Sequence, residues 1–342
     1  MKRILVRAPN WIGDQVMAYP FFVALRRRFP EAWIAVICTE WVKDIQYKSL
    51  VDEIFVLPKR KGDSLFKSAK VIFEFSRKIK AQGPWDLGLT LPNSFGSALI
   101  LFLAHVQVKR GFDTDARGFL LNERVHWNPS HEIHRAQAYL NLLPEEGGAP
   151  DKTELKIPDF DPIRDWPSSD PVEPPHDPYF IIAPGATAES RRWPAEKFAD
   201  LITKMNSLYT LKAVVIGGTA EREIASFLLK KGIAIEDYTG RGSVASLWKI
   251  FRNAKFTVCN ESGLAHVASL CGSKVQIVCG AADPRRTRPL GPGKVQVKFN
   301  PVECWPCEKN TCMFQDERRN QCLEGITAAD ILEEVESGFL SS

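Results

Sequence analysis

Ile4-Leu5-Val6-Arg7-Ala8-Pro9-Asn10-Trp11-Ile12-Gly13-Asp14 is the stretch on which the fold turns. Ile4–Arg7 reads as a short buried strand, the segment through Gly13 as a loop, and Asp14 to Arg28 as a helix. Val16, Met17, Tyr19, Phe21, Phe22 and Leu25 supply the helix's inward side, and Arg26–Arg28 suit the negative end of its dipole. Trp33–Cys38 follows as a strand, then a helix near Trp41–Tyr47, a strand at Glu53–Leu57, a helix from about Ser64 to Gln82 and a strand at Asp86–Thr90. Strands and helices alternating in this way make a parallel sheet with crossover helices.

The rhythm stops between Pro150 and Pro178, where eight prolines (150, 158, 162, 167, 171, 174, 175 and 178) exclude a regular element and read as an interdomain connector. It then restarts. Strands are expected at Tyr179–Ala183, Ala213–Gly217, Lys255–Cys259 and Val275–Val278, and helices at Ala195–Asn206, Glu221–Lys230, Ser243–Asn253 and Ser262–Leu270. With 342 residues there is chain enough for two cores. The expected architecture is therefore two doubly wound α/β domains, 1–165 and 166–342, facing each other across a cleft. In such sheets ligands bind outside the carboxyl ends of the strands, so chemistry is sought in those loops.

Four loops qualify. In the first, Asp14 is both a good helix cap and a carboxylate placed to serve as a general base. The second, Pro184-Gly185-Ala186-Thr187 leading to Arg191-Arg192-Trp193-Pro194, combines a hydroxyl and guanidinium groups suited to phosphate, or else is a solvated loop. In the third, Cys259-Asn260-Glu261-Ser262-Gly263-Leu264-Ala265-His266, free helix-start amides can grip a diphosphate, Glu261 can accept from sugar hydroxyls, and His266 lies one turn in. The fourth is Glu221, after Gly217-Gly218, an acid able to hold a ribose diol or simply to partner a helix dipole. No G-x-G-x-x-G, P-loop, G-x-S-x-G or H-E-x-x-H motif occurs. His131 and His134 sit in a helix-like run and read as surface or packing residues.

The formal charge of +4 is too small for a nucleic-acid partner, and all of the excess falls in residues 1–165, with 24 basic against 20 acidic side chains. Met1-Lys2-Arg3 leads straight into the first strand with no secretory h-region, which predicts a cytoplasmic protein. Leu87–Val108 is nearly uncharged, but Pro92-Asn93-Ser94 and Gly96 break it, which favours buried core over a membrane span. Cys304, Cys307, Cys312 and Cys322 are enough ligands for a structural zinc site, and reduced thiols are the other reading.

Asn10–Asp14, Pro184–Ala186 with Arg191–Pro194, and Asn260–His266 occur in an order that resembles the ADP-heptose–lipopolysaccharide heptosyltransferases, glycosyltransferase family 9, and within it the heptosyltransferase II branch. Leu91-Pro92-Asn93-Ser94-Phe95, Arg110-Gly111 and the cysteine cluster add to the resemblance, which runs over nearly the whole chain. It implies a GT-B fold with an acceptor-binding N-terminal domain and an ADP-heptose-binding C-terminal domain. It further implies inverting transfer of heptose to the inner-core heptose of Kdo–lipid A at the cytoplasmic face of the inner membrane, with no required cofactor. Asp14 matches the catalytic base, Thr187 a phosphate-contacting hydroxyl, Glu221 a ribose-binding acid, and Ser262, Gly263 and His266 the diphosphate and sugar site. Arg191 stands where many members have Lys, and Glu261 where many have Asp. Arg26–Arg28, Lys59–Lys61, Lys109-Arg110 and Arg117 would meet the anionic acceptor. Two other readings are a family member with another donor or acceptor, and a non-catalytic nucleotide-sugar-binding protein that kept the fold.

Overall fold

The computed structural model describes residues 2–58, 65–127, 133–144, 157–167 and 170–341. Lys59–Lys61, His131 and the connector residues 150–156 and 168–169 lie outside them. The chain divides into two units, 1–167 and 168–342.

Unit 1 runs β1 (Arg3–Arg7), α1 (Ile12–Met17), α2 (Tyr19–Arg28), β2 (Trp33–Thr39), β3 (Glu53–Leu57), α3 (Leu65–Ala81), β4 (Leu87–Thr90), α4 (Phe95–Leu103), β5 (Val108–Phe112), β6 (Glu123–Val125), α5 (Arg135–Leu140) and α6 (Pro162–Asp165). Its six strands are parallel in the order β3-β2-β1-β4-β5-β6. Fully apolar strands are expected where helices cover both faces, and Ile4, Leu5 and Val6 are wholly buried. One face packs Leu5, Ala35 and Ile37 against Ile72, Phe75 and Ile79 of α3 and Ile100 and Leu101 of α4. Each leucine, isoleucine or phenylalanine among them contributes about 1.5–3 kcal/mol by burial.

Unit 2 repeats the plan with β7 (Tyr179–Ala183), α7 (Ala195–Leu208), β8 (Lys212–Val215), α8 (Arg222–Lys230), β9 (Glu236–Asp237), α9 (Trp248–Asn253), β10 (Thr257–Asn260), α10 (Gly263–Leu270), β11 (Val275–Cys279), α11 (Pro284–Thr287), β12 (Val295–Phe299), α12 (Gln321–Glu324) and α13 (Ala328–Val335). Its strand order is β12-β11-β10-β7-β8-β9, also parallel. Phe180, Ile182, Phe198, Val215, Phe256 and Ile331 form its centre. Both orders are that of the doubly wound dinucleotide-binding sheet. The order reverses between β1 and β4 in unit 1 and between β7 and β10 in unit 2, which sets the loops after those strands at the switch points.

Three expectations need correction. The helix expected over Asp14–Arg28 is two helices broken at Ala18, because Pro20 has no N–H to donate and its ring crowds the carbonyl four residues back. The helix near Trp41–Tyr47 is a 3₁₀ turn at Glu40–Ile45. The proline-rich connector does hold a regular element: Pro162 opens the single turn α6, capped by Asp161, which accepts from the Ile163 amide at 3.0 Å. Trp166 and Asp165 of this segment are fully buried in unit 1, with Trp166 packed on Tyr47 and Phe160.

Candidate active site

In unit 2 the last residue of β10 ties two switch-point loops together. Asn260, wholly buried, donates from Nδ2 to the Pro184 carbonyl at 2.6 Å and accepts at Oδ1 from the Trp193 amide at 3.0 Å. The loop from Pro184 to Trp193 is thereby held at both ends against the start of α10. The two arginines diverge. Arg192 turns back to the Ala186 carbonyl at 2.7 Å, whereas Arg191 pairs through Nη1 with the buried Glu261 carboxylate at 2.6 Å. The solvated-pair alternative therefore fails for Arg191. Thr187 is exposed on the same loop.

Ser262 caps α10 in extended backbone, yet its side chain makes no capping bond. Its Oγ, like Arg191 Nε, is buried without a hydrogen-bond partner among the described residues. Unsatisfied buried donors are costly, and here they border a helix start that attracts anions. His266 lies one turn into α10 and is buried. Glu221 lies over the ends of β7 and β8, its Oε2 accepting from the Gly218 amide at 2.7 Å. A Cβ on Gly185 would fall 2.7 Å from Glu221 Oε1, and one on Gly217 2.5 Å from Glu221 Cβ, so both glycines make room for that acid.

In unit 1, α1 begins after Trp11, which takes the cap position; Asp14 stands in the first turn and does not cap the helix. A carboxylate there still interacts favourably with the helix dipole. Tyr139 on α5 donates to Asp14 Oδ1 at 3.4 Å, and Arg135 Nε lies 4.0 Å from the same oxygen. Burial pushes the Tyr139 hydroxyl well above its usual range, and the Asp14 charge adds to this, so the phenol stays a donor. Beneath the loop the guanidinium of Arg7, 3% exposed, donates to the carbonyls of Ala8 and Ile37 and to Asn10 Oδ1. Burial brings its pKa down to about 10, still a cation at neutral pH. Arg7, Tyr139, Arg135 and Asn260 as a brace were not found by sequence reasoning. Arg7 sat inside an apolar strand pattern, and Tyr139 and Arg135 lie more than a hundred residues from Asp14. His134 caps α5, its Nδ1 accepting from the Ala136 amide at 3.2 Å.

The cysteine segment is remote in sequence from these loops but adjoins them in space. Trp305 Nε1 donates to the Gly280 carbonyl at 2.9 Å, the Ser190 amide to the Asn310 carbonyl at 3.2 Å, and Arg319 pairs with Glu189 at 2.5 Å. Burial, then the neighbouring Cys307, Cys304 and Cys312, push the Cys322 thiol up to about 11. Among the described residues no group of three or more His, Cys, Asp or Glu could hold a metal ion. A cavity of about 480 Å³ lined by residues 172–177, Lys212, Glu236, Tyr238 and Arg241 contains none of the motif residues.

Comparison with known proteins gives the family. The model of glycosyltransferase family 9 (heptosyltransferase) matches residues 72–317. The chain is 24% identical to lipooligosaccharide heptosyltransferase 2 of Haemophilus ducreyi over 87% of this chain and 88% of that protein. It is likewise 24% identical to lipopolysaccharide heptosyltransferase 2 of Escherichia coli over 84% and 85%. Among solved structures it is similar to the ADP-heptose lipopolysaccharide heptosyltransferase II of E. coli, with a TM-score of 0.76 at 22% identity over 100% and 99% of the two chains. A family 9 glycosyltransferase of Veillonella parvula gives 0.77 at 21% identity over 100% and 98%. The two Rossmann-like sheets are those of the GT-B fold, and the chain belongs to glycosyltransferase family 9, the heptosyltransferases.

Proposed function

We propose that this enzyme transfers heptose from ADP-heptose, with inversion, to the inner-core heptose of Kdo–lipid A. The observation that carries the reading is the anion-seeking rim of unit 2: the start of α10 with the unpartnered Ser262 Oγ, beside Arg191 and its unpartnered Nε. Ser262, Gly263, Arg191 and Thr187 take the diphosphate, Glu221 the ribose diol, and Glu261 and His266 the sugar side. Glu261 already fixes Arg191 through Oε2.

Asp14 acts as the base. It removes the proton of the acceptor hydroxyl as that oxygen attacks the anomeric carbon. The bond from that carbon to the phosphate oxygen breaks, and ADP leaves with the electron pair. Negative charge grows on the diphosphate as the bond breaks, where fixed donors lower the barrier most because they need no reorganisation. Base assistance contributes typically about 10²–10⁴-fold. Arg7 and Tyr139 hold the Asn10–Asp14 loop and its carboxylate in place. No helix among the described residues is long and apolar enough to cross a membrane. The reaction takes place at a membrane surface because the acceptor is lipid-anchored.

ADP release from ADP-heptose, measured with and without heptosyl-Kdo–lipid A, tests the reading. Acceptor-dependent release supports it. Equal release with a different nucleotide sugar would replace the donor, and donor binding without release under any acceptor would favour a non-catalytic binding protein.

A further inference from the structure

Leu87–Val108 was read as buried core, but the structure buries only one side of it. α4, Phe95–Leu103, has no charged residue, and Phe95 and Phe102, two turns apart, are its exposed aromatic residues, while Leu99 packs against the core. Phe95 is 38% and Phe102 47% exposed. Phe119, 70% exposed on the following 3₁₀ turn, sets its ring 6.0 Å from that of Phe95. On α3, which covers the same sheet face and shares a core with α4, Phe73 is 52% exposed. A crossover helix in a soluble domain ordinarily turns polar residues outward. Apolar exposure here is clustered, and clustered apolar surface marks an interaction site.

We propose that this outer face of α3 and α4 docks the enzyme on an anionic lipid bilayer; the inference rests on the proposed lipid-anchored acceptor. Charge selects the partner. The exposed residues of α3 include Lys67, Lys70, Arg77, Lys78 and Lys80 against one carboxylate, Glu74. Exposed Arg124 lies against Gly118, the neighbour of Phe119. The nearby Asp115 carboxylate is engaged, accepting from the Phe95 amide at 2.7 Å. A second copy of the chain would set these cations against one another. An anionic bilayer takes both parts, the rings at the acyl boundary and the cations at the headgroup phosphates.

Sedimentation with vesicles of phosphatidylcholine alone, and with added phosphatidylglycerol, tests the surface. The wild type should bind only the anionic vesicles and be released by salt. Phe95→Ser/Phe102→Ser/Phe119→Ser and, separately, Lys70→Glu/Arg77→Glu/Lys78→Glu should each lower binding at least about tenfold. Melting temperature and ADP affinity, read without lipid, should stay at wild-type values in both; they also report the nucleotide site independently of docking. A wild type that ignores anionic vesicles, or variants that bind as well as wild type, would overturn the proposal. So would a phenylalanine variant whose only change is dissociation of a dimer in lipid-free buffer.

Discussion

Asn260→Ala probes how one buried side chain links the fold of unit 2 to its loop chemistry. The carboxamide is completely buried and satisfies two backbone groups, the Pro184 carbonyl at 2.6 Å and the Trp193 amide at 3.0 Å. Truncation leaves both without that partner in a site too tight for easy hydration. Each unsatisfied buried group costs about 1–3 kcal/mol, so the loss for the two sums to about 2–6 kcal/mol. For a unit of this size, 1 kcal/mol moves the midpoint by about 2–4 °C, giving an expected fall of about 4–24 °C. Scanning calorimetry with and without ADP measures it, because nucleotide raises the transition of the unit that binds it. The loop carrying Thr187 and Arg191 loses both anchors, so ADP affinity should fall by about tenfold, a loss of about 1.4 kcal/mol. A midpoint within 2 °C of wild type, or unchanged affinity despite a lowered midpoint, would refute the reasoning that Asn260 braces this loop.

Other perturbations separate the remaining parts. Gly217→Ala drives a methyl to 2.5 Å from Glu221 Cβ; displaced from the ends of β7 and β8, the acid should cost donor affinity, read as a raised KM with kcat little changed. Arg191→Lys keeps the ion pair with Glu261 but removes the buried Nε donor. One lost charge-assisted bond is worth about 1.5–3 kcal/mol, so kcat/KM should fall by about 10–150-fold, and an unchanged value would free Arg191 from contact with the phosphates. Asp165 contributes to the acid sensitivity of unit 1. Burial works to raise its pKa, but Arg164, Ser49 and the Asp161 amide more than offset this and hold it below the usual carboxylate range. A depressed folded pKa stabilises above the unfolded value of about 3.9 and is lost as pH falls through the folded one. Unfolding followed below about pH 4 should therefore show a slope that Asp165→Asn reduces.

Regular elements with uniform apolar runs were legible in the sequence because burial on both faces imposes them: β7, buried throughout, falls at the expected residues. β5 and β6 of unit 1 were not. β6 has three residues, Glu-Arg-Val, and β5 carries Lys109 and Arg110, so neither shows the apolar pattern that marks a central strand. Pro20 was read through as helix, although it forces a break. At the site, the residues following strand ends were visible as motifs, since loop position and residue chemistry coincide there. Asn260's bracing bonds, Tyr139 behind Asp14 and the approach of the cysteine segment to Ser190 depend on contacts between distant parts of the chain, which local pattern does not encode.

The claim that Asp14 is the base of a heptosyl transfer is tested most directly by single-turnover ADP release from ADP-heptose in the presence of heptosyl-Kdo–lipid A, comparing wild type with Asp14→Asn. The account predicts a loss of about 10²–10⁴-fold in rate with ADP-heptose affinity unchanged. A variant that turns over at the wild-type rate would contradict it.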